Sequence, residues 1–121
     1  MTLRIRSAEL FRINLRTRLP FKYGIATMTE APTAFVRIRA EIDGRLSTGV
    51  SSDCLPPKWF TKIPEKPIAD EVTEMEGIIQ SAMELAMEIR ANSPFRFWKT
   101  LAETQRARCA TYETPPLLAN F

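Results

Sequence analysis

The chain has 121 residues, is 45% hydrophobic and 26% charged, and carries a net charge of +3, a composition typical of one globular domain rather than of a disordered or collagen-like chain. It contains no histidine, which excludes Ser-His and Cys-His nucleophile pairs and histidine-ligated zinc sites within the chain. No run approaches the roughly 20 apolar residues of a membrane span, and the start lacks an apolar signal-peptide core, so we expect a cytoplasmic protein without membrane contact.

Residues 3 to 16 alternate between basic and apolar side chains and predict a long β-strand with one polar face and one core face. The predicted core face holds Leu3, Ile5, Phe11, Ile13 and Leu15. The predicted polar face holds Arg4, Arg6, Arg12 and Arg16. Residues 17 to 32, with two prolines and a glycine, are predicted to form a loop. A second strand follows at residues 33 to 42, with apolar side chains at the even positions.

A third strand begins after Asp43-Gly44 and completes the predicted sheet. Its predicted core-facing residues are Leu46, Thr48 and Val50. A two-residue turn at Asp43-Gly44 would oppose Ile42 to Arg45 and turn those side chains outward. We therefore predict a three-residue loop, Ile42-Asp43-Gly44, which keeps the apolar side chains on the core face.

Two long helices are predicted in the second half of the chain. Residues 67 to 91 carry an apolar stripe at helical spacing and have Pro67 in the first turn. A second helix begins with Ser93 as N-cap and Pro94 at the first helical position, and ends before Pro115-Pro116. The fold class predicted for residues 1 to 121 is α+β, a single domain with a three-stranded antiparallel β-meander followed by an antiparallel helical bundle.

Residues 51 to 67, "SSDCLPPKWFTKIPEKP", connect the strands to the first helix but are too apolar for a simple connector. Four prolines stiffen a segment that displays Trp59 and Phe60. Such a segment indicates a surface that covers something, because solvent-exposed loops usually carry polar turn residues.

Three sequence segments resemble a known family when they are taken together and in order. These are "LPFKYG" after the first strand, the hairpin arm "VRIRAEIDGR", and "TGVSSD" before the proline-rich segment. With this order of elements, the chain resembles over nearly all its length the N-terminal capping domain of the enolase superfamily, in the mandelate racemase and muconate lactonizing enzyme branch. It departs from the many members that follow the third strand with a Gly-x-Gly-Glu-type turn.

The resemblance implies a parent enzyme with a second domain that this chain lacks. In that family a (β/α)-barrel carries the acid-base residues and the carboxylate ligands of magnesium, while two loops of the capping domain close over the barrel mouth and select the substrate. The parent would be a magnesium-dependent racemase, dehydratase or cycloisomerase acting on a carboxylate substrate. The chain by itself would hold no cofactor and would not catalyse the reaction.

By matching position, the resemblance implies two lid segments, at about residues 18 to 29 and 51 to 60. Candidate substrate-facing residues of the first are Pro20, Phe21, Tyr23, Ile25 and Met28. Those of the second are Asp53, Leu55, Lys58 and Trp59. Lys58 is a candidate partner for a substrate carboxylate. The alternatives are that the aromatic side chains close the domain's own core and that the lysine is solvated. No catalytic residue and no metal ligand is assigned within the chain.

Two functions from other classes remain as alternatives. A three-stranded sheet with an arginine face and aromatic side chains is a possible nucleic-acid platform, although the signatures of RNA-recognition strands are absent. The other alternative is a free-standing protein-interaction domain without an enzyme parent. Surfaces meant for a barrel, including the C-terminal apolar run, would be exposed, so we also expect a homo-oligomer.

Overall fold

A computed structural model describes residues 1–121. The elements in chain order are β1 Leu3–Tyr23, β2 Ala26–Ile42, β3 Arg45–Cys54, α1 Ile68–Glu88, β4 Arg90–Ala91, α2 Pro94–Thr111 and α3 Pro116–Ala119. The α+β fold class is therefore confirmed, with an antiparallel sheet and three helices. None of these helices combines the length and the apolar character that a membrane crossing requires.

The sheet has four strands in the order β3-β2-β1-β4, which corrects the predicted three-stranded meander. The fourth strand consists of two residues, and its Arg90 and Ala91 pair with Arg4 and Leu3 of β1. A two-residue strand shows no alternation of side chains, so its sequence could not predict it. It forms because the chain passes beside the open edge of β1 on its way from α1 to α2.

The predicted loop over residues 17 to 32 is wrong, because β1 and β2 continue through it as one long hairpin. Gly24 and Ile25 form the tip, and Tyr23 pairs with Ala26. Residues 17 to 20 bulge out opposite Thr29, between the pairs Arg16–Glu30 and Phe21–Met28. Pro20 is tolerated there because a bulged residue needs no ladder hydrogen bond.

A second irregularity in β1 reverses the predicted faces of its distal half. Ile5 pairs with Ala40 and Ser7 with Arg39, so Arg6 is an extra residue. The odd residues before it face the helices, but after it the even residues do. The predicted core face is therefore correct for Leu3 and Ile5, which are 8% and 6% exposed. It is wrong for Phe11, Ile13 and Leu15, which are 46%, 49% and 47% exposed.

The turn between β2 and β3 contains two residues, and the predicted three-residue loop is wrong. Ile42 pairs with Arg45, and both Asp43 and Gly44 have positive φ angles, of 48° and 79°. Such a turn matches the twist of a hairpin, and an Asp-Gly pair is favoured in it. Leu46 and Val50 consequently point away from the helices, with 54% and 64% of their surface exposed.

The two long helices lie close to the predicted ones, but α1 ends at Glu88, and Arg90 and Ala91 of the predicted helix over residues 67 to 91 form β4 instead. The helix α1 begins after Pro67, and the side chain of Ser93 caps α2 by accepting a hydrogen bond of 3.2 Å from the backbone N–H of Arg96. Both lie on one face of the sheet and cover two buried clusters. The larger cluster contains Ala34, Leu55, Val72, Met75, Ile78, Cys109, Leu118 and Ala119. The smaller one contains Leu3, Ile5, Ala40 and Ala86.

The opposite face of the sheet carries apolar side chains that no helix covers. We call these residues the outer sheet face: Phe11, Ile13, Leu15, Leu46 and Val50. The predicted C-terminal contact surface, by contrast, is largely folded onto the chain itself, since Leu118 is 4% exposed and Phe121 packs against the larger cluster. The outer sheet face therefore offers a second copy of the chain more exposed apolar side chains than the C-terminal run, where only Leu117 among the large apolar side chains is exposed.

We expect concentration-dependent self-association through the outer sheet face, because burial of its exposed apolar side chains is favourable. The change Ile13→Glu should shift the protein toward monomer in multi-angle light scattering, since it places a charge between Phe11 and Leu15 on the same strand face. The control Met87→Glu introduces the same charge at an exposed apolar position of α1 and should leave the mass unchanged. A wild-type chain that stays monomeric at high concentration would contradict this expectation.

Candidate functional site

The two predicted lid segments meet at one end of the sheet. The hairpin tip of β1 and β2 lies at the same end as the last residues of β3, because neighbouring strands are antiparallel. The Tyr23 hydroxyl donates a hydrogen bond of 2.6 Å to the carbonyl oxygen of Pro57. The Tyr23 ring also contacts Trp59 edge-on, with ring centroids 5.8 Å apart. The hairpin thus holds the proline-rich segment beside it.

A cavity of about 340 Å³ lies between these segments. Its lining residues are Phe21, Tyr23, Met28, Asp53, Cys54, Pro56, Trp59, Phe60 and Phe121. Five of the nine predicted lid residues therefore line one cavity: Phe21, Tyr23, Met28, Asp53 and Trp59. Its volume is near the lower end of the range for small-molecule sites, roughly 300 to 1,000 Å³.

The other four predicted lid residues lie elsewhere. Pro20 is in the bulge of β1, and Ile25 is at the hairpin tip with 64% of its surface exposed. Leu55 is fully buried in the larger core cluster, and its N–H donates a 2.7 Å hydrogen bond to the carbonyl oxygen of Pro32. Lys58 is turned inward, so neither it nor Leu55 contributes to the cavity.

Lys58 forms an ion pair with Glu71 of α1 beneath the proline-rich segment. Its Nζ lies 2.8 Å from Oε2 of Glu71, and its backbone N–H donates a 3.0 Å hydrogen bond to Oε1. The two side chains are only 9% and 3% exposed. Lys58 also has a φ of 59°, a conformation that is strained for a residue with a Cβ. The charge of Lys58 is thus neutralised inside the domain rather than presented to a substrate.

Four further residues line the cavity without having been among the nine candidates: Cys54, Pro56 and Phe60, which lie within the predicted second lid segment, and Phe121, which lies outside both segments. Phe60 and Phe121 stack edge-on with ring centroids 4.7 Å apart, so the C-terminal residue closes one side of the cavity. No local signal indicates this contact, because the two residues lie at opposite ends of the helical region. Phe60 also packs against the core, whereas Phe21 and Trp59 remain 58% and 57% exposed.

The two weakly acidic groups of the cavity have pKa values above their usual ranges. Burial raises the pKa of the Tyr23 hydroxyl, with smaller contributions from the negative charges of Cys54 and Glu71. Burial likewise raises the pKa of the Cys54 thiol, and the neighbouring Asp53 carboxylate raises it further. Both groups are therefore neutral at pH 7, and the cavity contains no ready thiolate nucleophile.

We expect Cys54 to react slowly with iodoacetamide at pH 7, more slowly than a small free thiol, because little thiolate is present. The rate should rise with pH through and above the ordinary thiol range, since the pKa of Cys54 is raised. The change Asp53→Asn should accelerate labelling at neutral pH by removing a negative neighbour. Cys109 is 3% exposed and should not contribute in the native state. A labelling rate equal to that of the free thiol would contradict the raised pKa.

A larger cleft of about 640 Å³ lies between the hairpin and the start of α1, but it fits the predicted lid less well. No aromatic ring lines it, and its Arg12 is paired with Glu76 at 3.1 Å. The chain also brings together no group of three or more Cys, Asp or Glu side chains that could hold a metal ion.

No protein-family model matches the chain, and no curated protein matches it significantly. Support for a function of this chain therefore comes from the geometry of the smaller cavity.

Proposed function

We propose that the chain is the capping domain of an enolase-superfamily enzyme and that its two lid segments close over the mouth of a (β/α)-barrel. One observation carries the proposal: two segments far apart in sequence, identified by resemblance, line one cavity at one end of the sheet. Phe21 and Trp59 project there with more than half of their surface exposed. A lid needs this arrangement, with a folded base and apolar side chains available to a second domain.

The fold gives the lid a rigid base. The Lys58–Glu71 ion pair and the buried Leu55 anchor the second segment to α1 and the core, while Tyr23 anchors the first segment to the second. The exposed rings are therefore positioned before any partner binds, which lowers the entropy lost on closure. Closure of an apolar lid excludes water from a barrel mouth and strengthens the electrostatic interactions inside it.

The reaction would belong to the parent enzyme, a magnesium-dependent racemase, dehydratase or cycloisomerase acting on a carboxylate substrate. The residues of this chain do not fit magnesium, since they bring together no group of three or more carboxylates, so the barrel would have to hold the ion. Held there, magnesium would supply positive charge beside the substrate carboxylate. The part of this chain would be substrate selection and closure. We also propose that α1 and α2 pack against each other as the antiparallel helical bundle of such a capping domain.

The decisive experiment has two parts, the sequencing of the complete reading frame and a proton-exchange assay on the protein that it encodes. The complete reading frame that contains this chain should also encode a barrel domain. The complete protein should then exchange the proton beside the carboxylate of its substrate for deuterium in D2O, observed by NMR, only when magnesium is present. The isolated chain should show no exchange. A reading frame without a barrel, and no barrel protein that binds the chain, would overturn the proposal.

The nucleic-acid alternative gains no supporting observation. The arginines expected on one strand face are divided by the bulge at Arg6, and several are paired. Arg4 and Arg6 both bind Glu41, and Arg12 binds Glu76. The free-standing interaction domain has one supporting observation, the exposed outer sheet face. Binding of the isolated chain to a non-barrel protein, abolished by Ile13→Glu, would support that second candidate.

A further inference from the structure

Five aromatic rings surround the cavity in two groups. Phe21, Tyr23 and Trp59 follow one another with ring centroids 5.7 Å and 5.8 Å apart, and Phe60 and Phe121 form an edge-on pair on another side. The rings within each group are tilted or edge-on rather than parallel. Aromatic rings carry negative electrostatic potential on their faces, so a cavity lined by five rings offers surfaces that attract an organic cation.

The cavity also carries one negative charge without a positive partner. Among the side chains of its nine lining residues, only that of Asp53 is charged at pH 7, and its charge is −1. Asp53 takes part in none of the ten salt bridges of the chain. Its carboxylate bonds only to Cys54: Oδ1 accepts a hydrogen bond of 2.8 Å from the backbone N–H, and the neutral thiol is a second donor. The carboxylate is therefore available to a ligand.

Lys58, the only cationic residue of the second lid segment, does not line the cavity, because its ammonium group pairs with Glu71. The charge of Asp53 also acts on its neighbour, since the carboxylate adds to the effect of burial in raising the pKa of the Cys54 thiol. An anionic group in this cavity would face Asp53 with no cation to compensate it. A cationic group would meet both the carboxylate and the rings.

We propose that this cavity binds an alkylated ammonium group of a small molecule, with the aromatic rings around the cation and Asp53 as its counter-charge. The volume of about 340 Å³ exceeds that of a trimethylammonium head and leaves room for a short chain. The inference goes beyond the proposed function, since binding to the isolated chain requires no barrel. If the chain also serves as a lid, the substrate carries a cationic end that lies against the cavity.

Choline, its neutral isostere neohexyl alcohol and the anionic tert-butylacetate provide a series of similar shape and different charge. Binding is measured by the fluorescence of Trp59 in the Trp98→Phe background, where it is the only tryptophan. Trp98 lies on α2 outside the cavity, so this change leaves the site intact. We expect choline to bind about tenfold more tightly than the alcohol, an effect within the range of cation–π and charge-pair contributions, and tert-butylacetate to bind most weakly.

Matched variants locate the effect. The change Asp53→Asn should weaken choline binding about three- to tenfold and leave the alcohol unaffected, because only the cation interacts with the charge. The control Asp70→Asn neutralises an exposed carboxylate at the start of α1 and should change neither. Circular dichroism confirms that each variant is folded. Equal binding of choline and the alcohol by the wild type would overturn the inference without reference to any variant.

A second arm distinguishes the sources of the cation. A peptide carrying trimethyllysine presents the same head group on a protein, and tighter binding of this peptide than of choline would overturn the assignment to a small molecule. An unaltered choline affinity in Asp53→Asn would overturn the role of the carboxylate. Either result leaves the capping-domain proposal untouched, because that proposal fails only in the barrel and proton-exchange experiment.

Discussion

Replacing Lys58 with methionine is expected to lower the free energy of unfolding by about 3 to 5 kcal/mol, the usual effect of removing one partner of a buried ion pair. The side chain of Lys58 is 9% exposed and lies 2.8 Å from a Glu71 carboxylate that is itself 3% exposed. Without the ammonium group, the carboxylate would lose its counter-charge while remaining in a low-dielectric site. Urea denaturation followed by circular dichroism measures the loss.

The double variant Lys58→Met with Glu71→Gln should recover much of this stability, because the pair is then replaced by neutral side chains. The glutamine oxygen can still accept the hydrogen bond from the backbone N–H of residue 58, which is 3.0 Å in the wild type. The matched control is Lys66→Met, which removes a partner of the more exposed pair with Glu74. That change should lower the stability by no more than about 1 kcal/mol. Equal effects of Lys58→Met and Lys66→Met would show that burial does not matter here.

Leu55→Ala is expected to lower the free energy of unfolding by about 2 to 5 kcal/mol, although the residue lies in a segment proposed as a lid. The side chain has no exposed surface and packs in the larger core cluster, so its truncation leaves a cavity. The control Leu19→Ala makes the same change at a side chain that is 77% exposed in the other lid segment. It should change stability by no more than about 0.5 kcal/mol.

The comparison of these two leucines tests whether the proposed second lid segment is packed into the folded core at its base. A large effect for Leu55 and a small one for Leu19 would show that the proline-rich segment is part of the folded core at its base. Trp59, four residues further along, is 57% exposed and would then be its functional tip. Similar small effects at both positions would contradict this arrangement, because they would mean that the side chain of Leu55 contributes nothing to the packing of the core.

The helices were predictable because their signals are local. Pro67 precedes α1, and Ser93 and Pro94 begin α2, so both helix starts lie beside the residues that cause them. The end of α2 is less local, since the helix stops at Thr111, before the Pro115–Pro116 pair. The apolar stripe of α1 also identified Val72 and Met75 as core residues, and they are 4% and 2% exposed. The faces of the strands were less predictable. The extra residue Arg6 exchanges the helix-facing and the outward-facing side chains in the rest of β1. The alternation of apolar and polar residues in the sequence continues past Arg6 and gives no sign of this exchange.

The candidate site was predicted in part for a similar reason. Resemblance identified the two segments, and five of their nine candidate residues line the cavity. The inward direction of Lys58 and Leu55 depends on Glu71 and on the core, which are distant in sequence. The contribution of Phe121 depends on the way α3 returns toward Phe60. Neither contact has a pattern that a short stretch of sequence could display.

By itself, the sequence determined the α+β class, the positions of both long helices and the absence of any histidine-based chemistry, because these depend on composition and on neighbouring residues. The tertiary structure alone decided the fourth strand, the outward direction of Phe11, Ile13 and Leu15, and the closure of five rings and Asp53 around one cavity. These features follow from strand register and from contacts between distant elements. Register changes with one inserted residue, and distant contacts exist only once the chain has folded.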